Sequence, residues 1–167
     1  MSRSALPEGV TVRHEILPGD IGSLVSLHGT LYAREYGWDH SFEAYVAAPL
    51  AEFAVSRSDR ERIWIVEREG VVAGSIAIVG SSADTAQLRW FLLHPSVRGR
   101  GLGKHLLDEA IGFCRDEHYR TVFLWTVKDL AAAAHLYLAS GFHLTLERTH
   151  QLWGKTVTEQ RYETLLG

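Results

Sequence analysis

Arg98-Gly99-Arg100-Gly101-Leu102-Gly103-Lys104 stands between an apolar segment ending Leu92-Leu93-His94-Pro95 and a segment with helical apolar spacing at Leu106, Leu107, Ala110, Ile111 and Cys114. A glycine turn in that place presents successive backbone N–H groups at a helix N-terminus, where the helix dipole also favours an anion. Glycine lets the backbone approach a ligand closely, and Arg98, Arg100 and Lys104 add positive charge. A plain tight connection would also use glycine, but alternating glycines among three cations favour a pyrophosphate guest. A Walker A loop needs a longer interval between its glycines and Ser or Thr after the lysine, whereas His105 follows Lys104. A Rossmann turn needs one more residue before its last glycine and an acid about 20 residues on; residues 121–125 supply none.

Outward from this turn, strand and helix patterns alternate along the whole chain. Residues 10–16 alternate as a first strand. Pro18-Gly19-Asp20 opens a helix with the stripe Ile21, Leu24, Val25, His28, Leu31 and Tyr32, and Gly37 breaks it. Phe42, Tyr45, Val46, Leu50 and Phe53 mark a second helix, in which Pro49 predicts a kink or two short helices. Residues 63–67 and 71–79 flank Arg68-Glu69-Gly70 as a hairpin, and 86–93 form the next strand. After the glycine turn and its helix come a buried-type strand at 121–127 and an alanine-rich helix over 130–139, stopped by Ser140-Gly141. Strands near 142–147 and 156–164 close the chain. The order β-α-α-β-β-β-α-β-α-β-β predicts one mixed α/β domain over 10–167 behind a short extension, 1–9.

Composition narrows the function. The 167 residues carry a net charge of -3, which argues against general nucleic-acid binding. A single cysteine, Cys114, excludes a cysteine-built zinc site; on the stripe with Leu107 and Ile111 it reads as core. The nine histidines show no metal-binding spacing on one helix, so no metal is expected. The start lacks the apolar core of a signal peptide and no apolar run reaches spanning length, so a cytoplasmic protein with no membrane partner is expected. Apolar strand edges allow a homodimer.

Arg98-x-x-Gly101-x-Gly103 resembles the acetyl-coenzyme A motif of the GNAT acetyltransferase family. Leu92-Leu93-His94-Pro95 resembles the end of that family's fourth strand, and Leu136-Tyr137 with Gly141-Phe142 its late helix and following strand. Phe123-Leu124-Trp125-Thr126, His135-Leu136-Tyr137 and Trp153-Gly154 look more particularly like the acetyltransferase domain that follows a MarR-type domain in some bacterial regulators. Residues before Val10 leave no room for a winged helix, so the catalytic domain alone is expected.

The resemblance implies a splayed, mixed, mostly antiparallel sheet flanked by helices. It implies that the backbone of Arg98, Gly99, Arg100, Gly101, Leu102, Gly103 and Lys104 holds the pyrophosphate of acetyl-CoA. The main chain at Leu92 and Leu93 would pair with pantetheine, with an N–H near Leu93 stabilising the oxyanion. Tyr137 would protonate the leaving thiolate. In this fold the acceptor enters beside Glu35, Tyr36 and Trp38 and the strand holding Trp125, with Asp39, Trp153 and Lys155 nearby. Two positions depart from the family: Lys128-Asp129-Leu130 replaces a cofactor-holding asparagine, and Gln87 stands where many members carry a glutamate base. The implied activity is direct acetyl transfer from acetyl-CoA to a primary amine of a small molecule or amino acid. The competing reading is a non-catalytic acyl-CoA sensor.

Overall fold

The computed structural model describes residues 6–167; residues 1–5, part of the expected extension, lie outside it. A seven-stranded sheet runs in the order β1-β2-β3-β4-β5-β7-β6. Its strands are β1 (Val10–Arg13), β2 (Arg62–Arg68), β3 (Val71–Gly80), β4 (Thr85–Leu93), β5 (Thr121–Val127), β6 (His143–Leu152) and β7 (Lys155–Leu165). The helices are α1 (Asp20–Tyr36), α2 (His40–Ser56), α3 (Leu102–Asp116) and α4 (Ala131–Ala139), with a short 3-10 turn at Pro95–Val97. Every pairing is antiparallel except β4 with β5.

Strand alternation divides the core into two layers. Trp64 and Val66 of β2 join Leu106, Leu107 and Cys114 of α3 and Tyr137 of α4 on one face. Ile63 and Ile65 join Leu24 of α1 and Leu50 and Phe53 of α2 on the other. A strand covered on both faces reads as a continuous apolar run, as β2 and β3 do. Each fully buried Leu or Ile contributes about 2 kcal/mol.

Three expectations are corrected. The first strand ends at Arg13 rather than at 16, because the Arg13 guanidinium binds Asp20 at 2.6 Å and Glu67 at 2.8 Å and turns the chain toward α1. One helix, His40–Ser56, runs through Pro49, so of the two alternatives the pair of short helices does not form. Val46, Leu50 and Phe53 on either side of the proline are buried in one layer, and that packing offsets the missing N–H bond. The closing strands are longer than expected and form a hairpin about Trp153-Gly154, both at positive φ, 54° and 81°. Such a pair is what a two-residue hairpin turn requires. β6 is the edge strand, exposed from His143 to Gln151, so it carries no buried alternation to read.

The feature that positions the site is the parting of β4 from β5. They pair only at Thr85 with Thr121, Ala86 with Val122 and Gln87 with Phe123. Beyond Gln87 a bulge bends β4: its register with β3 shifts between Ser75 and Ala77, and Trp90 sits at φ 48°. The buried Ser75 hydroxyl donates to the Trp90 carbonyl at 2.7 Å and pins that bulge. Gly74 is required beside it, since a Cβ there would lie 2.4 Å from the Leu92 carbonyl oxygen.

Candidate active site

The parted strands open a cleft of about 630 Å³ between the two layers. One lip is the bare edge of β4. The His94 N–H donates to the Ala73 carbonyl on β3, so strand alternation keeps the Leu92 amide on the β3 edge and turns the Leu93 amide to the cleft. Leu92 is buried; its side chain packs in the interior.

Below that lip lies the start of α3. Gly99 and Gly101 adopt φ 79° and 77°, and Gly101 caps the helix without any side-chain acceptor. The His105 N–H is already bonded to the Gly101 carbonyl, so the preceding first-turn amides, at Leu102, Gly103 and Lys104, remain free for an anion. A Cβ at Gly99 or Gly101 would meet nothing within 4 Å, so glycine is needed there for conformation rather than space. Arg98, Gly99 and Gly103 line the cleft, whereas Arg100, Gly101 and Lys104 border an outer hollow. Lys104 pairs with Asp108 at 2.7 Å.

Arg98 and Glu35, separate in sequence, meet here. The guanidinium binds the Glu35 carboxylate at 2.8 and 3.3 Å, and its Nε donates to the Leu93 carbonyl at 2.8 Å. The end of α1 is thereby tied to the end of β4.

Tyr137 projects from α4 into the same cleft, near the rings of Phe91, Phe142 and Tyr162. Burial pushes its phenol well above the ordinary value, so it stays protonated at any physiological pH. Its hydroxyl makes no hydrogen bond with the described residues, which leaves it free to donate. No side chain caps the start of α4, at Leu130, where Lys128-Asp129 precedes it.

The opposite wall is aromatic. Trp38, 5% exposed, stacks on Tyr32 with centroids 5.0 Å apart and lies 4.5 Å from Trp153. It is therefore core and wall at once. Tyr36 flanks Trp38, and its carbonyl accepts from Lys155 Nζ at 2.8 Å. Asp39 is the N-cap of α2; its carboxylate accepts from the Ser41 hydroxyl and from the Ser41 amide at 2.9 Å, and those bonds, the hydroxyl's first, hold its carboxyl below the usual range. Trp125 faces the cleft beneath the Arg148 guanidinium, 4.5 Å from its ring.

Sequence reading did not single out Arg89, Trp90 and Glu159, which also line the cleft, and placed His28 only in a helix stripe. Glu159 lies 2.5 Å from His150 and 3.7 Å from Arg148. His28 Nδ1 lies 2.7 Å from the Leu24 carbonyl, so that nitrogen carries the proton, and Nε2 has no partner among the described residues. Burial lowers the His28 pKa to about 4, which keeps it neutral. Among the described residues no group of His, Cys, Asp and Glu is arranged to hold a metal ion.

The chain matches the acetyltransferase (GNAT) family over residues 28–142 and belongs to that family. It is 35% identical over 115 residues to YjgM of Escherichia coli, an uncharacterized N-acetyltransferase, spanning 66% of this chain and 69% of that one. An N-acetylaspartate synthetase of Xenopus tropicalis is 30% identical over 108 residues, covering 59% of this chain and only 40% of its own length. Among solved structures, an acetyltransferase of Streptococcus agalactiae superposes with a TM-score of 0.74 at 20% identity, over 95% of this chain and 99% of that one. One from Salmonella typhimurium, solved with acetyl-CoA, gives 0.76 at 17% identity, over 96% and 95%. The protein is an acetyl-CoA-dependent acyltransferase with the single-domain GNAT fold.

Proposed function

We propose that the enzyme transfers acetyl directly to the primary amine of a small molecule or amino acid. The observation that carries this reading is the convergence on one cleft of a free β4 amide, a free buried phenol and an aromatic chamber. Acetyl-CoA supplies the acetyl group as an activated thioester. The Arg98 N–H is engaged by the Pro95 carbonyl, so the amides from Gly99 to Lys104, rather than from Arg98, hold its pyrophosphate, while the β4 edge through Leu93 lines up its pantetheine arm. Leu93 N–H donates to the carbonyl oxygen as negative charge grows there. Tyr137 protonates the departing sulfur as the carbon–sulfur bond breaks and the carbon–nitrogen bond forms. Gln87 cannot accept the proton that the amine gives up. Glu159 takes it through water, with His150 behind it toward solvent.

Tyr36, Trp38 and Trp125 give the chamber an apolar wall suited to a small acceptor. The Xenopus tropicalis relative, an N-acetylaspartate synthetase by name, supports a small acceptor. The buried Cys114, whose thiol burial pushes up to about 12, supports direct transfer rather than an acetyl-cysteine intermediate. Leu144 and Leu146, exposed on the edge strand β6, support a homodimer joined along that edge; light scattering showing a monomer at assay concentration would remove it. Dependence on acetyl-CoA supports a cytoplasmic setting.

An amine panel scored by thiol release and by mass of the product tests the reading. Acetylation of small amines is expected. Turnover confined to polyamines or protein lysines would contradict it.

A further inference from the structure

We propose that Arg89 anchors a carboxylate of the acceptor, which makes the acceptor an amino acid; this rests on the transfer reading above and narrows its substrate. The bulge in β4 is what creates the anchor. Regular alternation would send Arg89 and Trp90 to opposite faces of the sheet. Instead the register passes from Ala77 with Arg89 to Ser75 with Leu92, so Trp90 and Phe91 both stand opposite Ile76. Trp90 is thereby turned into the α1–α2 layer, against Phe53, beside Arg89. The Arg89 guanidinium rests 4.8 Å from the Trp90 ring. An indole beneath a guanidinium fixes its plane without using its N–H donors.

Those donors have no taker. Arg13, Arg98 and Arg161 bind carboxylates, Arg148 faces Glu159, and Arg60 donates to the carbonyls of Ala83 and Glu117. Arg89 lines the cleft, half-buried, with no carboxylate or carbonyl partner among the described residues. Of the three carboxylates that line the cleft, Glu35 is engaged by Arg98 and Glu159 by His150, while Asp129, just before α4, pairs with neither Arg89 nor any other described residue. A positioned fork of donors in a partly desolvated cleft is complementary to a carboxylate, which it binds through two parallel N–H···O bonds. The anchor lies on the same strand as Leu93, with Gln87 on its face and Trp125 across the gap. An amine held there by its carboxylate has its nitrogen within the chamber. The acetyl acceptor it favours is a free amino acid; an amine without the carboxylate leaves the cation unpaired.

The test compares several L-amino acids with their amides and their decarboxylated amines, at saturating acetyl-CoA, in wild type, Arg89→Gln and Arg89→Lys. Wild type is expected to favour the free acid by roughly 10- to 100-fold in kcat/KM. Arg89→Gln should erase that preference through acceptor KM and leave the amides and the acetyl-CoA KM unchanged; Arg89→Lys should recover part of it. Equal use of acid and amide by wild type would overturn the proposal. So would a rise in acetyl-CoA KM with no change in acceptor preference. A second readout separates the anchor from the transfer step: calorimetric binding of N-acetylated amino acids and their amides to the CoA-loaded protein. Carboxylate-dependent binding lost in Arg89→Gln, with no turnover of any amine, would contradict the transfer reading and uphold the anchor. Absence of both would overturn the anchor itself.

Discussion

The Arg98 guanidinium holds both oxygens of Glu35 while its Nε donates to the carbonyl of Leu93. A cation expected beside the pyrophosphate and a carboxylate expected beside the amine are thus joined, and together they fix the end of β4. The pair is partly exposed, so its own stabilisation is at most about 1 kcal/mol. Its consequence lies in geometry. Glu35→Gln should leave thermal stability nearly unchanged yet raise the acetyl-CoA KM several-fold, because a released Arg98 loosens the Leu93 edge. Steady-state kinetics with an unchanged KM would show that the edge holds its place without the pair.

Gly101 and Gly112 stand at opposite ends of the conformational argument. Neither would bring a Cβ within 4 Å of any described residue, but of the two Gly101 alone has positive φ, 77°. Gly101→Ala should cost about 1–2 kcal/mol and weaken acetyl-CoA binding by tilting the first-turn amides. Gly112→Ala, inside α3, should stabilise by about 0.5–1 kcal/mol and leave binding untouched. Paired melting curves and calorimetric titrations check both, and equal behaviour of the two variants would refute the distinction.

His28 makes stability depend on pH with a definite sign. Its folded pKa, about 4, lies below the unfolded value near 6.5, so the unfolded chain takes up the proton first as pH falls. The stability that neutral His28 allows is complete above about pH 6.5 and is lost toward pH 4. The loss should amount to about 3 kcal/mol. Urea unfolding of wild type and His28→Gln at pH 7 and pH 4.5 should show a markedly smaller acid loss in the variant. Parallel curves would place the acid sensitivity elsewhere.

Element order and the glycine turn were legible in the sequence because each rests on local signals: apolar period, caps and turn residues. The bulge at Trp90 was not. Arg89-Trp90-Phe91-Leu92-Leu93 reads as an ordinary strand end, and only its pairing with β3 shows that two residues share one opposite position. β6 was read short because an edge strand exposed on both faces has no core pattern. Glu159 reached the cleft through the β5–β7 register, Val127 with Glu159, and Arg98 found Glu35 through the approach of α1 to β4. Contacts between elements distant in the chain leave no local trace.

The most direct measurement concerns Tyr137. Its hydroxyl bonds to no described residue, so Tyr137→Phe should fold as wild type and bind acetyl-CoA equally well. With chemistry rate-limiting, kcat should fall roughly 100-fold at little change in acetyl-CoA KM, because the proton is given up only as the sulfur departs. Burial raises the phenol's pKa above its ordinary value of 10, so wild-type kcat should hold through pH 10 rather than decline there. A Phe variant with wild-type turnover under those conditions would remove Tyr137 from the reaction and contradict the proposed chemistry of the cleft.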